Sequence, residues 1–415
     1  MKVILSINAG SSSVKISVYA ASHHKATPRE IADAQVSGLT APPAKLTYNR
    51  QGASVEKGKE VDASSQDTAF RLLLDTLIND EALKDISSKD DIAIACHRIV
   101  HGGDYDDAQL ITKDTYHHIE ALSDLAPLHN GAALGIVDAC INQLPSTHNV
   151  ACFDSQYHQS IPAHIATYPI NQDIAKKNKL RKYGFHGLSY AFIARSTAEF
   201  LHKDESSLNI IALHLGSGAS ACAIQNGKSR DTSMGLTPLA GLPGATRSGS
   251  VDPSLVFHYA SDVGKLSPAS TSQLHISRAE EILNKKSGWS ALTGTTDFAA
   301  IASRATPEQA LAFDLFVDRV AAFIGSYFVS LGGDVDALVF AGGIGEKSWQ
   351  LRDAVVQKVQ CLGFRVDEGK NKGPLKGVVD DISGDGDGSK KVLVCQTDEQ
   401  FEMARMCATK EELWR

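Results

Sequence analysis

The sequence predicts an α/β protein of two domains, and three observations carry that expectation. Apolar runs of strand length alternate with segments of helical periodicity along most of the chain. At 415 residues the chain exceeds what one hydrophobic core usually supports. A strand, Gly/Ser loop, strand pattern opens the chain as "VILSINAGSSSVKISVYA" and returns mid-chain as "NIIALHLGSGASACAIQNG". No tandem period links the two stretches, so they read as structurally related halves and not as a solenoid.

Composition narrows the class. Hydrophobic residues make up 43% and charged residues 21%, as in ordinary globular proteins. A net charge of −7 without long runs of like charge argues against nucleic acid as a partner. Seven cysteines lie scattered with no C-x-x-C, as expected of reduced thiols in the cytoplasm. The chain enters a strand within two residues, which leaves no signal peptide to expect. No apolar stretch approaches the roughly 20 residues that span a membrane, so no membrane partner is expected.

Taken in order, residues 3–5 and 16–19 read as strands rich in branched and aromatic side chains. The connector, with Asn8, a glycine, three serines and Lys15, is longer than a two-residue hairpin turn. Its groups suit phosphate oxygens or hydrated magnesium, and equally suit a loop that bonds its own backbone. Phe70, Leu73, Leu74, Leu77 and Ile78 form one helical face. Residues 92–95 and 150–153 are short buried strands leading into "CHRIVHGGDY" and Asp154. The longest helix should start at Thr306, with Pro307 at its first position and Gln309 completing a capping box. Gly332 and Gly333 should stop it near Leu331. Residues 367–391, rich in Gly, Asp and Lys, read as mostly a solvated surface excursion.

The chemistry gathers in a few places. In "ALVFAGGIGEKS" a strand over 337–340 runs into Gly342, Gly343, Ile344 and Gly345, and a helix should follow from Ser348. That arrangement brings backbone close to an anion or a base, and a plain tight turn accounts for it equally. It is no P-loop, because Glu346 stands where glycine must precede the lysine, and it lacks the third glycine of a dinucleotide fingerprint. Arg98 in "HRIVHGG" and Arg247 in "PGATRSGSVDP" suit bidentate binding of carboxylate or phosphoryl oxygens, or ordinary ion pairs. Their small neighbours leave room for a ligand. Asp154 follows a strand, where an aspartate also caps turns. His186 in "YGFHGLSY" precedes a helix that Ser189 should cap, and its ring suits donation to a phosphoryl oxygen. Glu399 in "VCQTDEQF" enters the last helix, where Thr397 and Gln400 read as a capping box. Favourable placement near the helix dipole explains Glu399 equally well. No G-x-S-x-G and no H-E-x-x-H is present. The set suits phosphoryl transfer, which is mainly positioning and charge stabilisation.

The motifs "SINAGSSSVK", "HRIVHGG", "LAPLHN", "YGFHGLSY", "HLGSGAS", "DTSMGLTPLAGLPGATRSGSVDP", "FAGGIGE" and "QTDE" resemble the acetate kinase family in order and spacing, from Lys2 to the final helix. The resemblance implies a duplicated actin-like ATPase (ribonuclease-H-like) fold, two lobes around a nucleotide cleft, and a homodimer. It places an N-terminal lobe at residues 1–157 with a returning 401–415. The C-terminal lobe at 158–400 would carry the nucleotide site and the dimer interface. By motif, Asn8 and Glu399 resemble the magnesium residues (Mn²⁺ being an alternative ion) and Lys15 a phosphate contact. Arg98 and Arg247 resemble the pair that binds acetate and stabilises the transferring phosphoryl. Asp154 matches the essential acid and His186 the transition-state donor. Val100, Leu128, Phe185 and Pro238 match the acetate methyl pocket. His214, Leu215, Gly216, Ser217 and Gly218, then Asp297, Phe298 and Ala299, then Gly343, Ile344, Gly345, Glu346 and Lys347 match the nucleotide loops. The implied reaction is direct attack of acetate on the γ-phosphorus of ATP, giving acetyl phosphate and ADP reversibly. This chain departs from the pattern at Ser217, Ala299 and Lys347, where the family usually has Asn, Arg and Asn. It departs also at Gly131 and Gln400. Alternatives are pyrophosphate as donor, propionate as acceptor and, more remotely, a non-catalytic nucleotide-binding module of the actin/Hsp70 kind.

Overall fold

The computed structural model describes residues 2–10, 12–22, 27–122, 127–259, 265–268, 270, 276–386 and 388–414. The chain forms two compact units, Met1–Gln156 with Asp398–Arg415, and Tyr157–Thr397. The first holds β1 (Lys2–Ala9), β2 (Ser13–Ala21), β3 (Arg29–Ser37), β4 (Ala44–Arg50), β5 (Ala53–Val61), β6 (Ile92–Ile99), β7 (Gln109–Leu110) and β8 (His148–Phe153). They make one sheet in the order β5-β4-β3-β2-β1-β6-β8-β7. The second holds β9 (Ile210–Leu215), β10 (Ala219–Gln225), β11 (Lys228–Thr232), β12 (Ala337–Ala341), β13 (Val379–Asp381) and β14 (Lys391–Cys395). Their order is β11-β10-β9-β12-β14-β13.

The two sheets repeat one scheme. Around β1, the strands β3-β2-β1 are antiparallel and β6 and β8 continue in parallel. Around β9, β11-β10-β9 are antiparallel and β12 and β14 continue in parallel. The similarity of the two Gly/Ser hairpins in the sequence is thus the visible part of a duplicated topology. The inner parallel strands are buried on both faces, which is why they read as unbroken apolar runs: all five residues of β12 are buried.

The first unit's core joins Leu5, Ile16 and Val18 to Phe70, Leu73 and Leu77 of the helix Gln66–Ile78. Ser65 caps that helix through the Thr68 N–H, and Thr68 Oγ1 accepts from the Ser65 N–H. The second unit's core sets Leu213, Phe340 and Val394 against Phe313 and Phe316 of the helix Pro307–Ser330. Each such side chain contributes about 1.5–3 kcal/mol when fully buried. Thr306 caps the long helix through the Gln309 N–H at 3.3 Å, but Gln309 Oε1 reaches back to Ala305 N at 3.0 Å, one residue beyond the expected box. Gly332 and Gly333 take φ of 66° and 76°, and their N–H groups close onto Val329 and Phe328 carbonyls. Residues 367–391 are less peripheral than their composition suggests. They carry the helix Glu368–Lys372 and β13, and they bury Asn371, Val379 and Ile382.

The segment that closes the first unit is the helix Glu399–Thr409, which packs on β1, β2 and β6. Ser6 Oγ donates to the Gln400 carbonyl at 2.7 Å, and Gln400 Nε2 donates to the Ser6 carbonyl at 3.0 Å. Cys407 meets Cys96 with sulfurs 3.0 Å apart, both buried. Among the described residues, no helix is long and apolar enough to cross a membrane.

Candidate functional site

In the first unit the candidate residues gather where β1, β6 and β8 end. Open α/β sheets bind ligands outside the carboxyl ends of their parallel strands. Asn8 and Lys15 are not in the loop but face each other as a cross-strand pair of β1 and β2. The turn beyond them is short, with Gly10 N–H donating to the Ser13 carbonyl at 2.9 Å. Arg98 sits inside β6, not past its end, and pairs in register with Cys152 of β8. Asp154 follows β8 directly and is 1% exposed. Arg98 Nε donates to Asp154 Oδ1 at 3.0 Å and Nη2 to Oδ2 at 2.8 Å, a forked pair. Burial of Arg98 works against its charge, but Asp154 and then Glu399 outweigh it and hold its pKa above the usual arginine value. Gly102 follows closely, and a Cβ there would run into the Phe153 ring.

The last helix departs from the expected capping box. Asp398, not Thr397, is its N-cap, accepting from the Phe401 N–H at 2.8 Å. Gln400 is spent on Ser6 instead of on the helix start. Burial raises the Asp398 pKa while Lys15 pulls it down, so Lys15 lies within electrostatic reach of the cap. Glu399 therefore has no capping duty. The Asn8 amide and the Glu399 carboxylate are oxygen donors of the type that magnesium takes. No cluster of three or more His, Cys, Asp or Glu suited to a metal occurs among the described residues.

In the second unit the candidates gather at the end of the β9–β10 hairpin. Gly216 N–H donates to the Gly218 carbonyl at 3.1 Å, and the Ser217 carbonyl accepts from Ala245 N at 2.8 Å, tying the loop to the segment that carries Arg247. Arg247 Nη1 donates to the Pro238 carbonyl at 3.2 Å. A Cβ at Gly218 would coincide with the Arg247 guanidinium, so glycine here leaves that side chain its place. His186 begins the helix Gly187–Phe200 in the left-handed region, φ 61°. A non-glycine residue held there stores strain of the kind found at working sites. Its Nδ1 lies 2.8 Å from Ser220 Oγ on β10, and its ring packs against that of His214 of β9, centroids 4.2 Å apart and planes tilted by 33°. His214 Nδ1 bonds Ser189 Oγ at 2.7 Å, and that hydroxyl bonds Thr397 at 2.8 Å. Ser189 is thus no helix cap: it holds a histidine.

Several expected contacts take a different form. Gly342–Lys347 is itself a short helix, and a Cβ at Gly342, φ 75°, would strike the Leu215 backbone. Ser348 then caps the helix Trp349–Lys358, as expected. Lys347 is exposed, while Gly345 is buried and Ile344 packs against the core. Phe298, expected in a nucleotide loop, packs instead against Trp289 and Phe316 at 5.4 Å each. Asp297 is the N-cap of its helix, accepting from Ala299 N at 2.9 Å. Leu215 and Phe185 are buried, Pro238 is buried and Val100 half-buried. The Leu128 side chain lies outside the described residues.

Residues 3–405 match the Acetokinase family. The chain belongs to the acetokinase family. Among relatives of this family, a protein of Chaetomium globosum named probable acetate kinase is 61% identical over 454 residues, covering 99% of each chain. An acetate kinase structure from Porphyromonas gingivalis is similar with a TM-score of 0.82 at 32% identity, over 98% of both chains. A propionate kinase structure from Francisella tularensis is similar with a TM-score of 0.84 at 32% identity, over 98% of this chain and 99% of that one. The fold is accordingly the two-lobed actin-like ATPase fold of the acetokinases.

Within that acetokinase frame, three supporting residues escaped the sequence reading. His158 is buried, with Nε2 3.0 Å from the Phe185 carbonyl and Nδ1 2.7 Å from Ser229 Oγ. A carbonyl only accepts, so Nε2 carries the proton and Ser229 donates to Nδ1. Desolvation lowers its pKa to about 4, which keeps the ring neutral. It thereby fixes the peptide preceding His186. Arg352, 3% exposed, donates from Nη1 to the Gly345 and Glu346 carbonyls at 2.9 and 2.7 Å and so secures the short glycine helix. Ser220 had a readable signal: it is a polar residue in the apolar run Ala219 to Ile224 of its strand.

Proposed function

We propose that this acetokinase-family chain is an acetate kinase that uses ATP as phosphoryl donor. An acetate oxygen attacks the γ-phosphorus, the bond from that phosphorus to the β,γ-bridging oxygen breaks, and acetyl phosphate and ADP leave. The observation that carries the reading is full-length kinship to acetate kinases at 61% identity with the acceptor-side residues Arg98, Asp154, His186 and Arg247 present.

Arg98, gripped by Asp154 along its Nε and Nη2 edge, would offer the remaining Nη1 edge to an anionic oxygen. Arg247, set by the Pro238 carbonyl, would stabilise charge on the transferring phosphoryl. His186 would donate to one of its equatorial oxygens. Val100, Phe185 and Pro238 would exclude water around the acetate methyl. Lys15 and the Gly216–Gly218 backbone would hold donor phosphates. Magnesium, held by Asn8 and Glu399, would neutralise charge on the β- and γ-phosphate oxygens when bound. The resemblance also supports a homodimer in the cytoplasm, testable by the molecular mass in solution.

A second reading, propionate as acceptor, is favoured by the similarity to the Francisella tularensis propionate kinase structure. One experiment addresses both acceptor and donor: acyl phosphate trapped as hydroxamate, with acetate or propionate and with ATP, GTP or pyrophosphate. Acetate with ATP is expected to give the highest turnover. Ala299 and Ser217 leave less to grip the base, so GTP should serve within about tenfold. Activity with pyrophosphate alone overturns the donor assignment.

A further inference from the structure

The His186 ring ends a chain of hydroxyls that the phosphoryl-transfer reading does not use. Tyr190 lies one turn along the same helix, 0% exposed, with its hydroxyl 2.6 Å from Ser220 Oγ. Ser220, also 0% exposed, is 2.8 Å from His186 Nδ1.

These contacts favour one order of protons along the chain. A phenol has one proton to give. The acceptor that the described contacts give this proton is Ser220 Oγ, 2.6 Å away. Ser220 then gives its proton to the only ring nitrogen in reach, Nδ1 of His186. In the reverse direction, Nδ1–H would donate to Ser220, Ser220 to Tyr190, and the phenol would be left with a buried donor aimed at nothing. Such a donor costs about 1–3 kcal/mol, roughly a tenfold to hundredfold bias against the reverse order. Burial also pushes the Tyr190 phenol well above its ordinary pKa, so it keeps its proton.

We infer that Tyr190 and Ser220 are positioning residues that hold His186 as the Nε2–H tautomer, presenting a permanent donor at Nε2 to the phosphoryl group. The inference rests on the reading of His186 as a phosphoryl donor. The left-handed backbone at His186 and the His158 clamp on the Phe185 carbonyl aim the ring; the hydroxyl chain sets which nitrogen carries hydrogen.

The test uses the full-length protein and three variants, Ser220→Ala, Tyr190→Phe and His186→Gln. Nitrogen-15 spectra of the histidine rings, with the His186 signals identified by their loss in His186→Gln, should show Nε2–H in the wild type. In Ser220→Ala they should show a mixture of tautomers. Turnover in Ser220→Ala should fall at least tenfold, with KM for acetate and ATP changed less than twofold; Tyr190→Phe, nearly isosteric, should fall severalfold in the same pattern. Wild-type turnover and an unchanged tautomer in both Ser220→Ala and Tyr190→Phe, beside an inactive His186→Gln, overturn the inference and leave the reading of His186 standing. Full activity in His186→Gln overturns that reading itself.

Discussion

Asp154 grips Arg98 along one edge of its guanidinium, Nε to Oδ1 at 3.0 Å and Nη2 to Oδ2 at 2.8 Å. The aspartate is almost wholly buried and the arginine side chain 19% exposed, so neither partner tolerates loss of the other. Arg98→Ala should lower turnover by about 100-fold. Arg98→Lys should recover little, since one ammonium cannot span both carboxylate oxygens and meet a substrate. Asp154→Ala should cost about 3 kcal/mol of stability, because it strands a partly buried cation. Added acetate or phosphate should return part of the lost melting temperature by occupying the vacated edge. Steady-state kinetics and thermal melts check both; a fully active, fully stable Asp154→Ala protein would contradict the assignment.

Gly218 and Arg247 make a second linked pair. Because a Cβ at 218 would occupy the place of the guanidinium, Gly218→Ala should displace Arg247 while the hairpin stays folded: the clash is with the end of a flexible side chain. Turnover should drop towards that of Arg247→Ala, with a melting temperature within a few degrees of wild type. The double variant should be little worse than either single one, which a double-mutant cycle measures.

Cap and ligand can be separated at the last helix. Asp398 accepts the Phe401 N–H, so Asp398→Ala should cost about 1 kcal/mol in stability. Glu399→Gln should leave stability nearly unchanged, raise the magnesium concentration needed for half-maximal rate, and depress turnover. A magnesium titration of Glu399→Gln that overlays the wild type removes Glu399 from the metal site.

Two buried histidines make stability fall in acid. Desolvation lowers His97 in the first unit and His158 in the second to about 4. Between pH 6.5 and 4 the unfolded chain takes up protons that these folded rings refuse, so stability is full above about 6.5 and declines towards 4. Each ring contributes a loss on the order of 3 kcal/mol across that window. Glu30, exposed on β3 but raised to about 7 by partial desolvation and then by Asp33 and Asp398, acts in the opposite sense, its penalty easing as pH falls. The difference between variants therefore isolates the imidazole. His158→Gln keeps an N–H for the Phe185 carbonyl and should lose less stability than wild type between pH 7.5 and 4.5, as denaturant midpoints at the two pH values report.

How far the sequence could be read depended on the range of the interactions involved. Strands such as β12 and the cap and stop of the long helix were legible because periodicity, Pro307 and the paired glycines are local signals. The repeated hairpin announced the duplicated sheet before any strand order was known. Local reasoning failed where a long-range partner outbid a neighbour. Ser189 holds His214 instead of capping. Gln400 turns to Ser6, from which it is separated by 394 residues, and leaves the cap to Asp398. Phe298 carries a motif position yet spends its ring on Trp289 and Phe316. His158 and Arg352 left no sequence signal because each serves a carbonyl, and backbone partners have no letter of their own.

The reciprocal bonds between Ser6 and Gln400 also set an order of birth. On the ribosome, β1 is made well before the helix that covers it, whose Gln400 comes 394 residues after Ser6. At about 5–20 residues per second that is a wait of roughly 20–80 s. Throughout that time the first unit can gather its sheet but cannot cover the face that receives Met403 and Cys407. The second unit, continuous from Tyr157 to Thr397, is complete before the first can close. The first unit is therefore expected to close last, with the faces of β1, β2 and β6 that this helix covers open until then.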